Sequence, residues 1–197
     1  MPDYKKEWMA KSEIDYFAPF ISLWLACNSW YRSHYSELNN VDRILIDKVK
    51  ADFTGRNHLY IAFKKKIEDN DRNFKTNVEL LQSALLKANI KSEKLEYPCN
   101  FNYLLIDYSN RSNKASGYTN IIKNPKINTN GEVSIADSSL VIKLDQIYIS
   151  SDMRIVFPGI FELIYTIRNQ LIHGLLNPNK EEHEVVKYCY MILNDIM

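Results

Sequence analysis

Glycine is scarce in this chain, with five in 197 residues. No G-x-x-x-x-G-K-[ST] or G-x-G-x-x-G pattern occurs, which excludes the loops whose backbone amides cradle nucleotide phosphates. A G-x-S-x-G nucleophile elbow is also missing. Cysteine is rarer still. Cys27, Cys99 and Cys189 are widely spaced and form no C-x-x-C pair, which argues against a disulfide framework or a zinc site and fits a reducing cytoplasm. His34, His58 and His183 are scattered, without H-E-x-x-H spacing, so neither a metal nor a cofactor is expected. Neither sign of charge dominates: 25 Lys and Arg against 24 Asp and Glu give a formal charge of +1. Any nucleic-acid contact must therefore come from a local patch. Long apolar runs are missing too. The stretch Phe17 to Cys27 is interrupted by Pro19 and Ser22 and falls short of the roughly 20 residues that span a bilayer. No apolar signal region follows the polar start, Met1 to Glu7. A cytoplasmic protein without a membrane partner is expected.

What the chain does have is helical periodicity and many aromatics, 13 Tyr and 8 Phe, for which core packing is the plain account. A first helix is predicted from about Glu13 to Leu38, opened by Ser12 and Asp15 in a capping-box arrangement, with Pro19 in its first turn. Apolar residues on nearly all its faces predict burial at the centre of a bundle; Asn28 within it then needs hydrogen-bond partners. Asn39-Asn40 breaks the pattern. Further helices are predicted over Val41–Phe53 (Ile44, Leu45, Val49 inward), Arg56–Asp69 (Leu59, Tyr60, Phe63 inward) and Asn73–Asn89 (Phe74, Val78, Leu81, Leu85, Leu86 inward). Lys64-Lys65-Lys66 reads as a solvated helix face. Residues 91–151 differ, being dense in polar residues (Asn110-Arg111-Ser112-Asn113-Lys114) with a turn at Asn130-Gly131 and β-branched runs at Val133–Ile135 and Leu140–Ile149 that suggest a strand pair. From Arg154 or Phe157 a helix returns, with Pro158 in its first turn and Ile160, Ile164, Ile167 and Leu171 as its stripe, ending at Gly174. A last helix follows Asn177-Pro178-Asn179, with Val185, Val186, Tyr188, Tyr190, Met191 and Ile192 inward; His183 near its start reads as a solvent residue. The fold class is therefore mainly all-α: an antiparallel helical bundle over residues 1–197 as one domain, with an irregular or β-hairpin insertion at about 91–151.

One segment points at chemistry: Ile167-Arg168-Asn169-Gln170-Leu171-Ile172-His173-Gly174. Arg offers a fixed positive fork for a phosphate, and His moves a proton near neutral pH. On a wheel of about 100° per residue, His173 lies opposite the apolar stripe, on an arc with Glu162 and Asn169. Arg168 falls between stripe and arc, within reach of His173. Phe161, Tyr165 and Ile172 form a second apolar flank, which suggests a second packing surface within the bundle or against another subunit. The plainer account is a cation suited to the negative helix end, a glycine cap and a surface arginine.

The R-N-x-x-x-H pattern at the end of a late helix resembles the HEPN superfamily. The aromatic first helix, Phe20 to Arg32, is similar to the opening helix of a bacterial HEPN-like group, as are Thr54-Gly55-Arg56-Asn57-His58 and Phe161-Glu162-Leu163-Ile164-Tyr165. The resemblance implies a helical homodimer that brings two motif helices into one cleft. It implies a metal-independent endoribonuclease, of toxin or phage-defence type, acting on RNA, with a nucleotidyltransferase-type antitoxin as a possible protein partner. Carried onto this chain, His173 is the general base or acid, Arg168 holds the scissile phosphate, and Asn169 orients one of them. Asn28, Tyr31 and Arg32 reach the cleft from the first helix as candidate substrate-binding residues. The alternative is an inactive HEPN-like module for dimerisation or for binding a nucleotide or RNA.

Overall fold

The computed structural model describes residues 15–38, 41–91, 98–105 and 117–197. Four helices come first: α1 (Phe17–His34), α2 (Asp42–Ala51), α3 (His58–Glu68) and α4 (Arg72–Ala88). Then follow β1 (Leu104–Leu105), β2 (Tyr118–Thr119), β3 (Ile122–Lys123), a short α5 (Ile135–Ser138), β4 (Val141–Lys143) and β5 (Tyr148–Ser150). The chain closes with α6 (Met153–Ile172) and α7 (Lys180–Ile196). It is mainly helical with small antiparallel sheets, as the apolar periodicity predicts.

The helix at the centre is α6. Residues 156–164 are buried without a break, the mark of a helix covered on every side. The sequence reading gives that place to α1, and the structure corrects it. Only one face of α1 is buried (Phe20, Trp24, Cys27, Tyr31), and Leu25 is 59% exposed. Hydropathy alone does not separate a solvent-facing leucine from a core one. Helices α1, α2, α3 and α7 and strands β1 and β5 pack against α6. Its Phe157 ring meets Tyr60 at 5.5 Å, Phe63 at 5.6 Å and Phe161 at 5.6 Å, edge-on or stacked. Helix α4 lies along α7. A hydrogen bond between Asn77 and Asp195 joins the first turns of α4 to the last turn of α7, so the pair runs antiparallel.

Local chemistry sets the helix starts. Asn57, fully buried, accepts the Tyr60 amide and donates to the Val49 carbonyl at 2.7 Å and the Asp52 carbonyl at 2.8 Å. Asp71, Asp152 and Asn179 cap α4, α6 and α7. The Asp152 cap starts α6 earlier than expected. Pro158 is thus the sixth helical residue and not in the first turn; it is buried there, offsetting the backbone hydrogen bond it cannot donate. Asp15 accepts the Phe17 amide at 2.9 Å, while the expected partner Ser12, like Glu13, lies outside the described residues. So do Asn39-Asn40 and the run 110–114. Ile44 (43% exposed) and Leu86 (55%) face outward, contrary to their predicted stripes. Lys64 and Lys66 pair with Glu68 and Asp71 on a solvated face, as expected. His183 is not a solvent residue: it is half-buried against Tyr16 and Phe17, and its Nε2 accepts the Tyr16 amide at 3.2 Å.

In the lobe, β5 is the centre of a three-stranded antiparallel sheet, β3-β5-β4. The expected pairing is corrected. Val133 only bridges Ile127 across the Gly131 turn, Ile135 starts α5 and is 94% exposed, and the hairpin forms inside 141–150. Ile122, Ile149 and Ile142 stand in register on the face turned to the core. Side chains of the bundle hold the lobe by its backbone. Glu79 of α4 accepts the Asp145 amide at 2.6 Å and the Gln146 amide at 2.9 Å, and Gln82 accepts the Phe101 amide at 2.7 Å. Strand β1 approaches α6 so closely that a Cβ on Gly159 would stand 2.9 Å from Leu104. Phe101, Leu104, Ile121 and Ile149 belong to the same apolar cluster as the helices.

Candidate functional site

The end of α6 fixes where the motif sits. Gly174, at φ +66°, turns the chain into the left-handed region that glycine adopts without strain. The Leu175 amide bonds the Gln170 carbonyl at 2.8 Å and the Gly174 amide bonds Leu171 at 3.2 Å. This double closure is a Schellman motif, and it leaves His173 as the last cap residue, with its own amide on the Asn169 carbonyl at 3.0 Å. The His173 side chain is exposed.

Arg168 points the other way. Its guanidinium carbon is 5.4 Å from the Trp24 ring and 6.0 Å from the Tyr165 ring, cation–π distances to two flanking aromatics. Nη1 donates to Asn169 Oδ1 at 2.7 Å. The side chain is 16% exposed, and Asp42 Oδ2 is 3.8 Å away. Arg168 Nε is buried and without a hydrogen-bond partner among the described residues. Although the wheel puts Arg168 within reach of His173, the side chain does not turn toward it, because the apolar flank of α6 faces α1 and carries Arg168 with it. No hydrogen bond joins the two side chains among the described residues.

Asp42, the first residue of α2, suits the positive end of that helix and gathers the α1 candidates. Its Oδ1 accepts the Tyr31 hydroxyl at 2.5 Å and Arg32 Nη2 at 3.4 Å. Arg32 Nε also bonds Asn28 Oδ1. Burial pushes the Tyr31 hydroxyl well above the usual phenol range, and its bond to Asp42 adds to that. The Cys27 thiol beneath is pushed up to about 12 by burial and by Asp42, which makes it a core residue, as its apolar run predicts. Thus Asn28, Tyr31, Arg32, Arg168 and Asn169 are brought to one seam between α1, α2 and α6. His173 lies one turn beyond it. Tyr31 is fully buried and commits its hydroxyl to Asp42; Arg32, at 35% side-chain exposure, keeps a face to solvent.

Sequence reasoning misses the charged cluster next door. Glu162, placed by the wheel on the outer arc with His173, is 3% exposed. It accepts Arg43 through both oxygens, at 2.8 and 2.6 Å, and Lys50 at 2.7 Å. Asp47 completes the cluster on Arg43 and Lys50. The available signal was a lone carboxylate inside the apolar run Phe157–Tyr165; its partners, on α2, are more than a hundred residues away. Asp42 carries no sequence signal of its own, since one acid in a helix's first turn is ordinary.

Among the described residues no three His, Cys, Asp or Glu side chains gather as a metal site, and no helix is long and apolar enough to cross a membrane. No protein-family model, curated protein or solved structure matches the chain.

Proposed function

We propose that this chain is a HEPN-like, metal-independent endoribonuclease that works as a homodimer, with Arg168 holding the scissile phosphate and His173 moving the proton. The observation that carries this reading is the incomplete pairing of Arg168. Its nearest carboxylate, 3.8 Å away, also serves Tyr31 and Arg32, and its Nε has no partner among the described residues. A phosphodiester at the mouth of the seam would supply the missing anionic charge, in the forked geometry guanidinium prefers. His173, exposed one turn away on a rigid cap, is placed for a substrate arriving from solvent.

RNA brings its own nucleophile. A neutral imidazole takes the 2′-hydroxyl proton, O2′ attacks phosphorus, the P–O5′ bond breaks, and a protonated imidazole gives a proton to the leaving O5′. The products are a 2′,3′-cyclic phosphate and a 5′-hydroxyl. One chain offers one such histidine, so the acid comes from a second copy. Exposed Ile172 and Leu175 on either side of the His173-Gly174 turn support an apolar contact between copies at the motif.

A specific observation favours a second reading. Arg168 is largely enclosed and already engaged by Trp24, Tyr165 and Asn169, as suits an inactive module that binds RNA or a nucleotide, or pairs with an antitoxin of nucleotidyltransferase type. Purified protein incubated with total RNA separates the two. Cleavage leaving 5′-hydroxyl ends, reduced about 10²–10⁴-fold in His173→Ala, is expected; equal cleavage by both proteins would remove His173 from the mechanism. RNA retention without cleavage would leave the module.

A further inference from the structure

The lobe carries a surface that the motif does not account for. Across the three-stranded sheet, Lys123 of β3 and Lys143 of β4 both stand opposite Tyr148 of β5. Residues in register share a face, and the next residue along each strand takes the other. Ile122, Ile149 and Ile142 occupy that other face, against the core, with Ile149 fully buried. The Lys123, Tyr148 and Lys143 side chains therefore stand together on the outer face. The lysines are exposed and the tyrosine is half-exposed. Lys143 Nζ lies 6.0 Å from the Tyr148 ring centroid.

A ring flanked by two ammonium groups, one on each neighbouring strand, is the arrangement that binds a single strand of nucleic acid. The ring stacks a base whatever its identity, and the cations meet phosphates on either side. Two strand spacings separate the lysines by about 10 Å, and their flexible stems adjust to the backbone. The nearby Glu79 carboxylate does not oppose this: it is buried and filled by the Asp145 and Gln146 amides. The same bonds tie the β4–β5 turn to α4.

We propose that Lys123, Tyr148 and Lys143 form an exosite for single-stranded RNA. It lies beside the start of α6, whereas Arg168 and His173 lie toward the other end of that helix, about 22 Å and about 30 Å along its axis. Its role is to hold a strand and not to touch the reacting phosphate. The proposal deepens the RNA reading of the motif and rests on it for the identity of the strand.

The test uses the full chain carrying His173→Ala, so that cleavage does not interfere, and fluorescein-labelled oligouridylate of about twelve nucleotides followed by anisotropy. Tyr148→Ala is expected to weaken binding about tenfold or more, the loss of one base stack, and Tyr148→Phe to stay within about twofold. The Lys123→Gln, Lys143→Gln double variant is expected to weaken binding and to flatten the slope of log affinity against log salt by about 1.4, two single-strand phosphates. Circular dichroism checks the fold of each. No binding by the parent chain, or unchanged affinity in Tyr148→Ala and the lysine variant, overturns the exosite whatever cleavage does. Equal loss for oligouridylate and heparin in the lysine variant, with no effect of Tyr148→Ala, reduces it to a polyanion patch and overturns it as well. With His173 restored, the lysine variant is expected to raise KM and leave kcat unchanged. Binding that depends on these residues in a chain that cuts nothing upholds the exosite and removes the nuclease reading.

Discussion

Two arginines from different helices meet one tyrosine. Arg43 lies 5.1 Å from the Tyr165 ring centroid and Arg168 lies 6.0 Å from it, yet their surroundings differ. Arg43 has two carboxylates, Asp47 and the buried Glu162, within hydrogen-bond reach. Burial alone would disfavour its charge; the bonds to Asp47 and Glu162 outweigh that and hold the guanidinium protonated. Lys50 shares the same acids. Arg168 has aromatic faces, an asparagine and a carboxylate at 3.8 Å. A buried cation with matched anions is architecture, whereas one left under-matched at the edge of a seam has capacity for an outside anion. The two arginines therefore separate what holds α2 onto α6 from what α6 presents.

The largest effect should come from breaking the matched side. Glu162→Ala leaves Arg43 and Lys50 without their shared buried anion, and removing one partner of a buried ion pair costs about 3–5 kcal/mol. Urea denaturation should show that loss, and a cost below about 1 kcal/mol would mean the cluster is solvated and the comparison wrong. Arg168→Ala is expected to behave oppositely. Cleavage should fall about 10²–10³-fold, as for other lost transition-state donors, while stability falls by no more than the about 2 kcal/mol of a desolvated cation–π contact. Should Arg168→Ala unfold the chain as readily as Glu162→Ala does, Arg168 is architecture too, and the binding-module reading prevails. Gly159→Ala, in the middle of the same helix, provides a steric control. Its Cβ would sit 2.9 Å from Leu104, so overpacking should cost about 1–3 kcal/mol and leave kcat alone, since neither arginine is touched.

The contrast also explains what could be seen in the sequence. Helices α3, α4 and α7 are legible within a few residues because each has one apolar stripe and an ordinary capping residue. Helix α2, whose N-cap Val41 gives no side-chain cap, is legible from its stripe and the break before it. Leu59, Phe63, Phe74 and Val78 are all buried as their spacing predicts. The motif is legible because its residues are local, and Gly174 announces the end of the helix. What fails is everything decided at long range. The exchange of α1 for α6 as the central helix follows from Glu162, which looks like a surface residue until Arg43 and Lys50 arrive from α2. The direction of Arg168 is set by Trp24 and Asp42, neither of which a helical wheel contains. Similarly, the lobe's hairpin formed inside 141–150 because β5 pairs β3 and β4 together, whereas alternation alone allowed Val133 as a partner.

Acid should separate the two sides further, and with the smallest effects. Burial alone would raise the Asp47 carboxyl, but hydrogen bonds from Arg43 and the attraction of Lys50 outweigh it and hold it below the usual carboxylate range. Such a group stabilises the fold fully above its unfolded pKa of about 3.9. That contribution is lost as pH falls through the lower folded value, where the folded carboxylate finally takes a proton. A milder step should come earlier. Burial, reinforced by the charge of His34, holds the His58 imidazole below its ordinary value, with Trp30 packed edge-on at 4.1 Å. Between the folded value and about 6.5 the unfolded chain binds the proton that the folded chain refuses. Stability should therefore decline as pH drops through that window and level off below it. Thermal unfolding against pH should show both limbs: His58→Gln should abolish the first and leave the second, and Asp47→Asn should do the reverse. If Asp47→Asn leaves the acid limb in place, the Arg43 cluster does not set the acid tolerance of the fold, and Asp47 is only weakly coupled to stability.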